Sequence, residues 1–204
     1  MRFTVLVLLF HVVFGDAVCE DCPPWANETS LGRYQDVWRT LNQTNSTVYV
    51  LVRSTYNKNP VWGENFTCVN VRAVEVNETA RTVKSLFKFK NATSGKIYNL
   101  TDTVGITATY NYSTPNAIQY TTPNGTLNDT VIFSDYKRCD ILSIPYENNG
   151  TGCELWVNKD HVDNIPDCCN FIFDVYCVAA GNYTVYDKQN CSGVLEHKGS
   201  QETC

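Results

Sequence analysis

The chain has 204 residues, 21 acidic against 16 basic side chains, and a formal net charge of -5. That length provides about one domain with a real core. The acidic balance excludes a basic nucleic-acid footprint and gives no signal for an anionic membrane, although a mildly acidic field favours cations weakly.

Met1-Arg2 leads into an apolar run from about Phe3 to Phe14, followed by the small residues Gly15 and Ala17. This pattern predicts a secretory signal peptide over 1–17, cleaved at about 15–18. The run is too short to span a bilayer, so a soluble, secreted, extracellular protein is expected. All ten cysteines lie beyond the expected cleavage point, and an even number in an exported chain argues for disulfides. Sequons recur from Asn27 to Asn190, predicting a heavily sugared surface.

Residues 18–32 form a polar lead holding Cys19-x-x-Cys22, a spacing that stands alone and is expected to be half of a disulfide rather than a metal site. A single domain is expected over 33–191, with a tail at 192–204. Tyr34, Val37, Trp38 and Leu41 fall at helical spacing and predict a helix of two to three turns, with Trp38 plugging a barrel end. From Val48 the pattern turns to strands. Phe66 to Val76 alternates, then slips phase at Val74, which predicts a bulge. Leu86-Phe87-Lys88-Phe89-Lys90 alternates cleanly. Further strands are marked by Val104 to Tyr110, Ile118 and Tyr120, and Val131 to Phe133, with a hairpin turn at Pro123-Asn124-Gly125. Short strands about a dozen residues apart predict an antiparallel barrel or sandwich. Asn164-Ile165-Pro166 opens a second helix that Gly181 ends. Its expected stripe is Ile165, Cys168 or Cys169, Ile172, Val175 or Tyr176, and Ala179. Tyr183 to Tyr186 should be a last strand.

Chemistry concentrates between Cys139 and Cys168. Glu154 and Trp156 share one strand face. Across the turn-rich Tyr146–Gly150 connector, an even register would add Asp140, which itself faces with Leu142 and Ile144. Two carboxylates and an indole would then look into an apolar interior. No Lys or Arg occupies that face of either arm, so a cationic ligand could supply the charge that buried carboxylates require. From spacing alone, solvated strand residues are the first reading of both acids. Cys139 and Cys153 have the opposite parity and would face outward, toward a helix lying on the barrel. His161 and His197 are isolated, and no nucleophile elbow, phosphate loop or zinc motif occurs. A binder is expected, without enzyme activity, cofactor or metal.

Cys139-Asp140-Ile141, Glu154-Leu155-Trp156 and Cys168 together resemble the biogenic-amine-binding signature of the tick salivary lipocalins, and the chain is similar to their histamine-binding members. The likeness extends through Tyr34-Gln35-Asp36-Val37-Trp38, Pro60-Val61-Trp62-Gly63, Phe66-Thr67-Cys68 and Asn116-Ala117. It implies an all-β, eight-stranded antiparallel lipocalin barrel with an N-terminal helix and a C-terminal helix packed outside. It also implies a monomer that sequesters histamine or serotonin to blunt host responses. Relatives on the same fold hold leukotrienes or thromboxane, or bind a complement protein. By position, Asp140 and Glu154 become acidic partners of the amine, Trp62 an aromatic wall, and Tyr56, Asp102 and Tyr120 further pocket residues. Asn59, Thr44 and Thr130 stand where the histamine binders are acidic. Grouping Asp140, Glu154 and Trp62 in one pocket and Asp102, Tyr56 and Tyr120 in another, these departures imply one effective amine site. The resemblance pairs Cys68 with Cys191 and Cys139 with Cys168 or Cys169, the other member of the vicinal pair reaching Cys19 or Cys22.

Overall fold

The computed structural model describes residues 21–42, 47–123 and 125–195. Eight strands form the barrel: β1 (Val48–Ser54), β2 (Phe66–Asn77), β3 (Thr82–Asn91), β4 (Ile97–Thr107), β5 (Ala117–Thr122), β6 (Gly125–Ser134), β7 (Cys139–Ile144) and β8 (Gly152–Asn158). Each pairs antiparallel with the next, and β1 pairs with both β2 and β8, closing the sheet. Closure leaves no long exposed edge. Tyr183–Thr184 adds a short outer pairing on β1.

Alternation explains which residues go where. Along β1, Tyr49 and Leu51 join the inner core, while Val50 and Val52 join a second core outside the barrel. On β7 and β8 the inner set includes Leu142, Ile144 and Trp156, and the outer set Cys139, Ile141, Cys153, Leu155 and Val157. These strands are buried on both faces, which is why they read as continuous apolar runs rather than half-polar ones. The expected phase slip in β2 is a register shift between Ala73 and Glu75. A second shift, between Thr67 and Asn70, surrounds Cys68, whose φ is 56°.

Helix α3 (Asp167–Tyr176) covers the outer face. Its buried stripe is Cys169, Phe173 and Cys177, spaced four apart; of the expected set Cys169 is buried and Ile165 and Ile172 pack beside it, while Phe173 and Cys177 replace Val175 or Tyr176 and Ala179. Val175 is 56% exposed, and Phe173 is the residue that seals the contact. The helix ends at Tyr176; a 3-10 turn, Val178–Ala180, separates it from Gly181. Disulfides Cys139–Cys169 and Cys153–Cys177 fasten this stripe to β7 and β8. Cys68–Cys191 ties β2 to α4 (Lys188–Leu195), a helix that polar spacing concealed. Cys168, expected to reach Cys19 or Cys22, is instead an exposed free thiol. One residue along a helix turns a side chain by about 100°, so Cys169 meets the barrel and Cys168 meets solvent. Cys22 is disulfide-bonded, and Cys19 lies outside the described residues. Replacing Cys139 and Cys169 together by Ser should lower unfolding free energy by about 2–5 kcal/mol, read as a fall in the denaturant midpoint; an unchanged midpoint would show that α3 docks without the link.

The N-terminal segment departs from a single helix. A one-turn helix α1 (Glu28–Leu31) and a 3-10 turn precede α2 (Val37–Leu41), which has only five residues. Asp36 starts α2, its Oδ1 accepting from the N–H groups of Trp38 at 3.0 Å and Arg39 at 3.2 Å. Val37 is fully buried, while Trp38 is half-buried against Val83 and Val104 at the barrel end. Strand β4 begins seven residues earlier than its apolar signal because its first half is solvent-facing. Tyr110 lies beyond it in a left-handed turn, edge-on to the buried Trp25 at 5.3 Å.

Candidate ligand-binding site

In the β7–β8 hairpin Asp140 stands opposite Trp156 and Glu154 opposite Leu142. This even register puts both acids on the inner face, where each is 4% exposed. They line an internal cavity of about 1130 Å³, counting the solvent at its mouth. Trp62 enters from the loop between β1 and β2 and packs on four rings, Phe66, Phe87, Phe89 and Trp156, at 5.7–5.9 Å between centroids. Such clusters hold an indole face in a defined place. The loop itself is set by Asn59, 3% exposed, whose Oδ1 accepts from the N–H of Val61 at 2.7 Å and of Trp62 at 3.4 Å.

The two acids have different surroundings. Glu154 accepts a hydrogen bond from the Tyr56 hydroxyl on Oε1 and one from Trp156 Nε1, at 2.8 Å, on Oε2. Asn59 Nδ2 in turn donates to the Tyr56 hydroxyl at 3.5 Å. Asp140 takes a hydrogen bond from Ser134, but its Oδ1 is buried with no partner. The hydroxyl of Tyr49, on the same cavity wall, is also buried and unpartnered. Orphaned buried polar groups cost about 1–3 kcal/mol each and mark a place where a ligand's donors and acceptors would fit.

Burial pushes both carboxyls up to about 7. For Asp140 the Ser134 hydrogen bond works against this and Asp135 adds to it; for Glu154 the Tyr56 and Trp156 hydrogen bonds oppose it and Glu147 adds. No cation contributes to either balance. Among the described residues four carboxylates line the cavity, on Asp102, Asp129, Asp140 and Glu154, against one basic residue, Arg72. Arg72 lies between the lining residues Val71 and Ala73, and its Nε is buried without a hydrogen-bond partner.

The residue grouping implied by resemblance changes. Tyr56 and Asn59 sit with Glu154, not with Asp102, and they stand behind it rather than on the cavity wall. Asp102 is on the wall, half-buried, its Oδ1 accepting from the N–H of Thr103 at 2.7 Å. Tyr120 is on the wall and bonds the Tyr146 hydroxyl and, at 3.5 Å, Asp129. Thr130 does not line the cavity; its hydroxyl meets that of Thr109 at 3.2 Å. Thr44 lies outside the described residues. Asp129 escaped the sequence reading, although its parity with Val131 was the available signal.

A sequence model of the tick histamine binding protein family matches residues 25–193. The chain is 39% identical over 168 residues to a male-specific histamine-binding salivary protein of Rhipicephalus appendiculatus, covering 78% of this chain and 83% of the relative. It is 33% identical over 183 residues to female-specific histamine-binding protein 1 of the same tick, covering 89% and 95%. Among solved structures, Japanin of that tick, bound to cholesterol, matches with a TM-score of 0.50 and 17% identity over 72% of this chain and 95% of Japanin. Lobster apocrustacyanin A1 matches at 0.50 and 12%, over 75% and 83%. These two likenesses show the fold, that of the lipocalins. The matched family, the two relatives and the closed eight-stranded barrel together establish that the chain belongs to the tick histamine-binding protein family and is a ligand-binding lipocalin, not an enzyme.

Proposed function

We propose that this protein, secreted and extracellular like its salivary relatives, sequesters a small cationic biogenic amine, histamine or serotonin, by equilibrium binding inside the barrel. The observation that carries this reading is the buried, unpartnered Oδ1 of Asp140 on the wall of an aromatic cavity. A ligand ammonium would satisfy that oxygen and offset the desolvation that holds the carboxyl near 7. The indole faces of Trp62 and Trp156 suit the cationic end or the ring of the same ligand. Binding of this kind removes a mediator from a host wound without chemistry.

A lipid mediator is the second reading on the same barrel. Phe87, Phe89, Leu100 and Val104 supply apolar wall, but four carboxylates oppose an anionic headgroup. Action through the outer surface, on a host defence protein, is a third. Titration calorimetry of histamine, serotonin and a leukotriene against the glycosylated protein separates these readings. Saturable binding of an amine is expected, and tight leukotriene binding with no amine signal would sink the proposal.

A further inference from the structure

We infer that Asp129, on β6, is a ligand-contacting carboxylate that works with Glu154 from the wall of the same cavity. The inference rests on the amine reading above and names the chemistry at one end of that site.

Asp129 stands opposite Ile118 in the β5–β6 pairing, and both residues line the cavity. It is two residues before Val131 of the inner core, so alternation turns its side chain inward. Two phenols gather beside it: the Tyr120 hydroxyl donates to Oδ1 at 3.5 Å and is itself bonded to that of Tyr146. Burial, first, and the charge of Glu154, second, both push the Asp129 carboxyl well above the usual carboxylate range. Two carboxyls close enough to feel each other in a low-dielectric cavity cannot both ionise cheaply without a cation. The Tyr56 hydroxyl, which bonds Glu154, also feels the charge of Asp129. Both carboxyls line the same cavity, which is the spot an amine would enter. The orphaned Oδ1 of Asp140 is an independent sign that this cavity is completed by donors from a ligand.

An amine entering the spot would place its ammonium against Glu154 and Asp129 and displace the proton that the pair holds when empty. The proton leaves to solvent, no covalent bond changes, and the ligand keeps its charge. At Asn59 the amide oxygen is occupied by the backbone of Val61 and Trp62 and its nitrogen points to Tyr56, so it offers no charge. Asp129, by contrast, lines the cavity.

The test uses the full-length glycosylated protein and two probes: histamine, and imidazole-4-ethanol, which keeps the ring but carries a hydroxyl in place of the ammonium. Asp129→Asn should weaken histamine by about tenfold or more and leave imidazole-4-ethanol nearly unchanged. Calorimetry in buffers of different ionisation enthalpy should show fewer protons released by the variant than by the wild type. Equal histamine affinity in wild type and Asp129→Asn would overturn the assignment. So would equal weakening of both probes, which would indicate a packing role. A wild-type protein that binds neither histamine nor serotonin would overturn the amine reading itself, and this assignment with it.

Discussion

Asp140→Asn is expected to weaken histamine or serotonin binding by about 2–5 kcal/mol, tens- to thousands-fold, while leaving folding untouched or improved. The asymmetry follows from the site. In the free protein Asp140 is a buried carboxyl with an unpartnered oxygen and no cation beside it, so removing its charge relieves a cost. In the complex that same charge is what meets the ammonium. Glu154→Gln should behave differently, although both acids face one cavity. Each Glu154 oxygen accepts a hydrogen bond, from Tyr56 and from Trp156 Nε1. A glutamine amide has one acceptor and one donor group, so its NH2 would confront either a hydroxyl or an indole N–H. The indole can only donate, so the amide oxygen stays on Trp156 and the NH2 faces the Tyr56 hydroxyl, which already accepts from Asn59 and loses the acceptor for its own O–H; the variant should lose about 1–3 kcal/mol of stability as well as affinity. Thermal unfolding and calorimetry on both variants check this. Equal stability changes in the two would show that the surroundings of the acids are not as described.

The second large effect is on pH. Asp140 and Glu154 are both held at about 7 in the ligand-free fold, against about 4 in an unfolded chain. Between those values the folded protein keeps protons that the unfolded chain has released. Ligand-free stability should therefore fall as pH rises from about 4 to about 7, and the buried Asp129 carboxyl, pushed up in the same direction, adds to that slope. Amine binding runs the other way, since an ammonium needs the carboxylate. Serotonin is the better probe here because its ammonium stays charged across the whole window. Its affinity should rise with pH up to about 7, and below that fall by up to about tenfold per pH unit for each carboxyl that meets the amine. The stabilisation by saturating serotonin should thus be larger at pH 8 than at pH 5. A thermal-shift series over that range reads both slopes, and a flat affinity profile would exclude buried carboxyls as the amine's partners.

Much of this fold is written in local pattern. The Cys139–Asp140 and Cys153–Glu154 pairs carry opposite chemistry at adjacent positions, and strand geometry alone sends one outward and the other inward. The even register that brings Asp140 to the face of Glu154 was legible only as a condition on the turn between them. The resemblance, carried first by Cys139-Asp140-Ile141, Glu154-Leu155-Trp156 and Cys168, chose the barrel over the sandwich that periodicity left open and narrowed the expected cation to an amine. Helix α4 was hidden because its sequence, Lys188 to Leu195, has little apolar content and is held by Cys191, Val194 and Leu195 against a distant strand.

What the sequence by itself determined is the order of strands along the chain, the shared face of Glu154 and Trp156, and the opposite parity of Cys139 and Cys153 to the acids beside them. Those properties depend on near neighbours, where the two-residue and 3.6-residue periods act. Tertiary structure alone decided that Cys169 rather than Cys168 closes on Cys139, because a helix's rotation on the barrel is set by the whole packed stripe of Cys169, Phe173 and Cys177. It also decided that Tyr56 stands behind Glu154, that Thr130 lies off the cavity wall, and that Asp129 joins the acids inside. Each of these depends on strands from distant parts of the chain meeting in one closed sheet. Positional matching along a sequence carries no information on which side chains such closure brings within reach of one another.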